Sequence, residues 1–207
     1  MIEKTRLVIA SGNEGNAREL RAMLPTFFDV DTAGGLGVTI PEETGTTFED
    51  NARLKAIGVS RDVDGLVLAD DSGLVVDALD GRPGVYSARY AGEPANDATN
   101  VAKLLGDLVD VPAGDRAARF VCVLCLARRG VLLALVRGEA IGSIARVPRG
   151  VFGFGYDPVF ITADGRTMAE LEPAEKDRIS HRGAALRRLI PILVDLPTRS
   201  SFGEVTS

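Results

Sequence analysis

Two adjacent carboxylates, a hydroxyl and a glycine stand together in the segment Leu68-Ala-Asp-Asp-Ser-Gly-Leu74. We expect Asp70 and Asp71 to end an apolar strand. Oxygen ligands at that position suit a hard cation such as Mg²⁺, which needs only one or two carboxylates when substrate phosphates are present. The segment therefore favours a phosphate-processing site. An ordinary polar turn is the alternative, because turns prefer Asp, Ser and Gly as well.

A second pair of acids, Glu42 and Glu43, precedes a helix predicted over residues 46–60. Across a groove these side chains can meet Asp70 or Asp71 and complete an oxygen-rich metal site. Acids near the start of a helix also interact favourably with its dipole, and that explanation requires no metal. The residues alone leave both interpretations open.

Three further segments have the residue types that bind a nucleotide. The polar loop at residues 11–15 lies between a predicted strand and a predicted helix, where backbone N–H groups point at an anion, although it lacks the GxxxxGK[ST] pattern. Residues 152–158 offer aromatic faces, on which a base stacks with about 1–3 kcal/mol, and the acceptor carboxylate of Asp157. Lys176 and Ser180-His-Arg182 add cationic and donor groups. Plain turns, core aromatics and a Ser180 helix cap are the alternatives.

The elements that position these residues follow from the spacing of apolar residues. Strands are predicted at residues 6–10, 27–30, 119–128, 131–144 and 159–161 and from residue 66 onward; helices at residues 17–24, 46–60, 96–108 and 181–194, with a polar stretch at 170–180. This order predicts an α/β fold of two apposed lobes. We expect a single domain over residues 1–196 and a flexible tail over residues 197–207.

Composition excludes several classes of protein. A net charge of −5 argues against nucleic-acid binding, which depends on clustered Lys and Arg. No apolar run approaches the roughly 20 residues that cross a bilayer, and the first residues lack a secretory core, so we expect a cytoplasmic protein without a membrane partner. Cys122 and Cys125 form a CxxC inside an apolar, β-rich run. Without a second Cys pair nearby, they are interpreted as reduced core cysteines.

Six ordered motifs resemble the inosine/xanthosine triphosphate pyrophosphatase family, and the resemblance extends over about residues 7–193. They are Ala10-Ser-Gly-Asn13, Thr47-Phe-Glu-Asp-Asn-Ala52, Ala69-Asp-Asp-Ser-Gly-Leu74, Pro83-Gly-Val-Tyr-Ser-Ala-Arg89, Gly153-Phe-Gly-Tyr-Asp-Pro158 and Ser180-His-Arg-Gly-Ala-Ala-Leu186. The resemblance implies a homodimeric, Mg²⁺-dependent enzyme that hydrolyses dITP, ITP and XTP to the monophosphate and pyrophosphate. It also implies two lobes around a long, bent mixed β-sheet with flanking helices, and an active site in the cleft between the lobes.

The resemblance also implies roles for individual residues. Asp71 is the expected proton acceptor, and Asp71 with Glu43 the expected magnesium ligands, supported by Asp70. The expected triphosphate loop comprises Ser11, Gly12, Asn13, Glu14, Gly15 and Asn16, and the phosphate-neutralising cations are Lys55 and Lys176. Ser72 is a substrate contact, Phe154, Gly155, Tyr156 and Asp157 form the base pocket, and His181 and Arg182 bind the 6-oxo edge of the purine.

The chain departs from the family at one position of the first loop. The loop usually ends in lysine, whereas this chain has Asn16, so one positive charge near the triphosphate is missing. We expect weaker substrate binding or compensation by Arg18 or another nearby cation. Two competing functions are a pyrophosphatase for modified pyrimidine triphosphates and a nucleotide-binding regulator without catalysis.

Overall fold

Six strands form one mixed β-sheet in the computed structural model, which describes residues 5–196. The strands are β1 (Thr5–Ala10), β2 (Phe28–Thr32), β3 (Leu66–Val76), β4 (Ala117–Arg128), β5 (Val131–Ile144) and β6 (Phe160–Ile161). Their order across the sheet is β2-β1-β3-β4-β5-β6. β1 runs parallel to β2 and β3, whereas β3, β4, β5 and β6 pair antiparallel. The predicted α/β fold with a long mixed sheet is confirmed.

Helices cover both faces of the sheet. They are α1 (Glu14–Met23), α2 (Phe48–Val59), α3 (Asp97–Asp107), α4 (Pro173–Ile179) and α5 (His181–Asp195). Asn13, Thr47, Asn96 and Ser180 cap four of them by accepting a backbone N–H in the first turn. The four predicted helices are confirmed. The polar stretch at 170–180, for which no helix was predicted, contains α4, which begins at a proline whose fixed φ suits the first helical position.

The sheet divides into two lobes because strands β3, β4 and β5 are longer than β1 and β2 and extend beyond them. β3, β4 and β5 have 11, 12 and 14 residues, whereas β1 and β2 have 6 and 5. In the first lobe, one apolar cluster packs under α1 and α5 and another under α2 on the opposite face. Beyond the end of β1, the long strands continue into a second lobe, where they pack with α3. The last pair between β1 and β3 is Ala10 with Ala69.

The acidic motif lies inside β3 and not at its end. Asp70, Asp71, Ser72 and Gly73 each pair with a residue of β4, as do their neighbours from residue 67 to residue 76. The predicted strand end is therefore wrong, and so is the alternative turn. A continuous hydrogen-bonded ladder has outweighed the turn preference of these residue types.

Three further expectations concern single segments. Cys122 and Cys125 are buried and unbonded, as predicted. Within residues 5–196, no helix is both long and apolar enough to cross a bilayer. The expected flexible tail, residues 197–207, lies outside the described residues.

Candidate active site

A cleft of about 420 Å³ opens between the lobes, at the point where β1 ends and β3 continues. Every residue that the sequence assigned to the site lines this cleft except Glu14 and Gly15. Gly15 nevertheless lies close to the cleft, since a Cβ at this position would be 3.0 Å from the ring of Phe154, which lines it. A second depression, near residues 60–64 and Arg129, lies at the other end of β3 and contains none of the predicted site residues.

Neighbouring acids of β3 serve different faces of the sheet, because side chains alternate along a strand. Asp71 faces α2, where its Oδ1 lies 3.8 Å from Lys55 Nζ. The same ammonium donates a 2.6 Å hydrogen bond to Glu43 Oε1. Two carboxylates from segments far apart in sequence thus meet at one buried cation.

The electrostatics of this group suit proton transfer. Burial raises the pKa of Asp71 to about 7, against the opposing effect of Lys55. Burial by itself lowers the pKa of Lys55, but the carboxylates of Asp70, Asp71 and Glu43 outweigh it and the pKa lies above its ordinary value. Lys55 therefore remains charged near neutral pH, while Asp71 can exchange a proton there.

Asp70 faces the opposite side, toward α1 and α5. Its Oδ2 accepts a 2.7 Å hydrogen bond from Asn16 Nδ2 and lies 3.5 Å from Arg182 Nη2. Ser72, on the same face, accepts a 3.0 Å hydrogen bond from Arg182 Nη2. Asn16, which stands where a cation was expected, thus contacts an acid and a hydroxyl directly.

Glu19 is a site residue that the sequence reasoning missed. It lies on α1 and accepts hydrogen bonds from Lys176 Nζ, at 2.7 Å, and from Arg182 Nη1. A single carboxylate thereby orients two of the predicted ligand-binding cations. Glu19 lies three residues after Asn16, so both side chains are on one face of the helix. This spacing was the signal in the sequence that could have identified Glu19 as a site residue.

Residues 152–158 form an aromatic loop on the second-lobe side of the cleft, and residues 154–157 of this loop line it. Asp157 Oδ2 accepts the Phe154 N–H at 2.9 Å and also bonds Lys176 Nζ, whose ammonium lies 4.9 Å from the Phe154 ring centroid. Tyr156 donates to the carbonyl of Ser87 at 2.8 Å. Lys176 was predicted among the phosphate-neutralising cations, and the structure places it against Asp157 and Phe154, two residues that were predicted to form the base pocket.

His181 begins α5 after the Ser180 cap, which accepts the Gly183 N–H at 3.0 Å. Its ring stacks on Phe120 with centroids 4.7 Å apart. Burial, followed by the positive charge of Arg182, lowers the pKa of His181 well below its ordinary value. The imidazole is therefore neutral at physiological pH and offers one donor and one acceptor.

The cleft holds carboxylate oxygens of the kind that bind Mg²⁺. Asp71 Oδ2 and Asp70 Oδ1 are buried oxygens without a hydrogen-bond partner. Within residues 5–196, no three Asp, Glu, His or Cys side chains converge on one point, since Asp70 faces away from the pair formed by Glu43 and Asp71. Such a pair still fits Mg²⁺, which completes its coordination with phosphate oxygens and water. The predicted ligand roles of all three acids stay predictions.

Comparison with known proteins points to a single family. The sequence model of the Ham1 family matches residues 7–192. The dITP/XTP pyrophosphatase of Oceanobacillus iheyensis is 49% identical, over 89% of this chain and 95% of that protein. The enzyme of the same name from Bacillus licheniformis is 50% identical, over 90% and 97%. A HAM1 protein from Coxiella burnetii has a solved structure that is 40% identical and superposes with a TM-score of 0.84, covering 93% of this chain and all of that one.

Proposed function

The chain belongs to the Ham1 family, and on this premise we propose that it hydrolyses dITP, ITP and XTP to the monophosphate and pyrophosphate. Relatives named dITP/XTP pyrophosphatase, about half identical over nearly the whole chain, support this substrate class. Removal of these non-standard purine nucleotides from the nucleotide pool is the corresponding cellular role. The two competing functions receive no such support from the relatives.

One observation carries the proposal. Glu43 and Asp71 reach the same ammonium, at 2.6 and 3.8 Å from Lys55 Nζ, in the cleft that is also lined by residues 154–157 of the aromatic loop. An acid can transfer the proton and a cation can stabilise the charge during hydrolysis, and a stacking surface can bind the base of the nucleotide. Their meeting in one cleft is the strongest structural support.

In the proposed reaction Asp71 is the general base. It accepts the proton of a water molecule that attacks the α-phosphorus, while the bond to the bridging oxygen breaks and pyrophosphate leaves with the electron pair. Lys55, a predicted phosphate-neutralising cation, stabilises the negative charge of the phosphates. Glu43 and Asp71 would hold the Mg²⁺, which supplies charge neutralisation for the phosphates when bound.

Base selection is assigned to the face that Asp70 shares with α1 and α5. Arg182 is oriented by Glu19 and Ser72, so its N–H groups are set to donate to a 6-oxo purine. The amino group of adenine would instead oppose donor to donor, and unpaired buried donors are costly. Neutral His181 can add a donor or an acceptor on the same edge.

Homodimer formation, Mg²⁺ dependence and a cytoplasmic location belong to the same proposal. The resemblance of the six motifs supports the homodimer and the Mg²⁺ dependence, and the unpartnered oxygens of Asp70 and Asp71 further support the cation. The proposed action on the nucleotide pool supports the cytoplasmic location. Size-exclusion chromatography with light scattering tests the dimer.

The deciding experiment measures pyrophosphate release from ITP, XTP, GTP and ATP, with Mg²⁺ and with EDTA. We expect rapid release from ITP and XTP, little from GTP and ATP, and none in EDTA. Asp71→Asn is the matched control, because it keeps the size of the side chain and removes the base. ITP binding without product would favour the regulator, and preference for a modified pyrimidine triphosphate would favour the other enzyme.

A further inference from the structure

Cationic side chains surround the cleft, and most of them form hydrogen-bonded ion pairs with carboxylates of the protein. Lys55, Lys176 and Arg182 are between 1% and 4% exposed, and each donates a hydrogen bond to an acid. Arg89 differs from them. Its side chain is 35% exposed and its ion pair with Glu43, from Nη1 to Oε2, measures 3.8 Å, which is too long for a hydrogen bond. Of these four cations, Arg89 is the one least neutralised by the protein.

The backbone that carries this arginine is fixed on both sides. Asn100, which is 2% exposed, donates to the carbonyl of Ala88 at 2.9 Å and accepts the N–H of Ala91 at 2.7 Å. Ser87 Oγ accepts the N–H of Leu74 in β3 at 2.8 Å. Because the chain is tied to both β3 and α3, the arginine leaves from a defined point at the rim of the cleft.

The side chain lies beside Glu43, one of the predicted metal ligands. Its guanidinium packs 5.4 Å from the Tyr86 ring centroid, and the two residues before it, Ser87 and Ala88, line the cleft. Glu43 faces Lys55 with one carboxylate oxygen and Arg89 with the other. A cation that binds Glu43 competes with Arg89 for the second oxygen, and the guanidinium is then available to another anion.

We propose that Arg89 binds the pyrophosphate portion of the substrate and the pyrophosphate product. The inference rests on the proposed function, in which Glu43 would help to hold the Mg²⁺ that neutralises the substrate phosphates. A guanidinium presents paired N–H donors that match two phosphate oxygens at once. By this contact Arg89 stabilises the charge that develops on the leaving pyrophosphate, and it supplies a positive charge in a cleft whose first loop has Asn16.

Magnesium pyrophosphate is the probe, with its dissociation constant measured by calorimetry and its inhibition constant measured against ITP. Arg89→Ala is expected to weaken both by at least about tenfold, as for loss of a hydrogen bond to a charged group. Arg89→Lys should fall between that variant and the wild type. Arg119→Ala is the matched control, since Arg119 has a 36% exposed side chain and an ion pair with Asp77 away from the cleft; it should change neither constant.

Unchanged pyrophosphate binding in Arg89→Ala would overturn the proposal. So would an effect confined to the Mg²⁺ concentration for half-maximal activity, because the arginine would then act only through Glu43. Should Arg89→Ala unfold, Arg89→Gln keeps most of the aliphatic stem, removes the guanidinium and is judged by the same constants. A wild-type protein that releases no pyrophosphate from ITP would refute the proposed function instead, whatever the variants bind.

Discussion

Replacing Asp71 by Asn should remove catalysis and stabilise the fold at neutral pH. The side chain is only 8% exposed, and burial raises its pKa from 3.8 to about 7. At roughly 1.36 kcal/mol per pKa unit, keeping the carboxylate ionised in the folded state costs up to ~4 kcal/mol. Local relaxation reduces such penalties, and we expect the variant to gain ~2 kcal/mol in the free energy of unfolding at pH 8.

The pH dependence gives the prediction its sign. A carboxyl group whose pKa is higher in the folded state imposes no penalty below the unfolded value near 3.8, a growing penalty up to about 7, and a constant one above that. The stability gain of Asp71→Asn should therefore be smaller at pH 5 than at pH 8.

Urea unfolding of both proteins in EDTA at the two pH values measures this difference. Added Mg²⁺ should stabilise the wild type and have little effect on the variant, by linkage between binding and folding. The reasoning that burial of the Asp71 carboxylate destabilises the fold would be refuted by a variant that is less stable than the wild type at pH 8. A stability gain that does not change with pH would refute it as well.

Three further substitutions test the site and its support. Asn16→Lys adds a cation beside the acids, and we expect the KM for ITP to fall several-fold; unchanged KM and kcat would mean that the charge is not needed there. Arg182→Ala should lower the ratio of kcat/KM for ITP to that for ATP by at least about tenfold, and an unchanged ratio would exclude Arg182 from base selection. Gly138→Ala should destabilise the fold by more than ~2 kcal/mol in urea unfolding, because a Cβ on β5 would overlap backbone atoms of His181 and Ala185 in α5. Gly106→Ala is its control, since that Cβ meets no atom within 4 Å and alanine favours a helix by up to ~1 kcal/mol; equal stability of the two variants would contradict the packing argument.

The sequence was informative where local pattern and tertiary structure agree. The periodicity of apolar residues predicted the two long strands β4 and β5 and four of the helices, since that periodicity is set within each element. The acidic motif shows where local pattern fails. Gly73 resembles a turn glycine, but a Cβ there would lie 2.5 Å from the carbonyl oxygen of Gly84 and 2.6 Å from Ser87 Oγ, a contact between segments that no local pattern contains.

The candidate site follows the same division. Nearly every site residue that was predicted from the motifs lines one cleft. These residues could be predicted because their types match the chemistry that a bound nucleotide needs. Glu19 was missed because an isolated acid on an amphipathic helix is usually a solvated residue. Its function depends on Lys176 and Arg182, whose partners become visible only when α1 and α5 lie side by side.

Asp70 and Asp71 point to opposite faces of β3. Two proposed tasks, base selection on the Asp70 face and proton transfer by Asp71, are therefore separated although they share one strand. Substitutions under α1 and α5 act on one acid, and substitutions under α2 act on the other. If the proposed roles hold, substitutions on the α1 and α5 face can change the preferred base during evolution without altering the general base on the α2 face. Insertion of one residue before the pair would have the opposite effect: it would exchange the two acids between the faces and disable both tasks together.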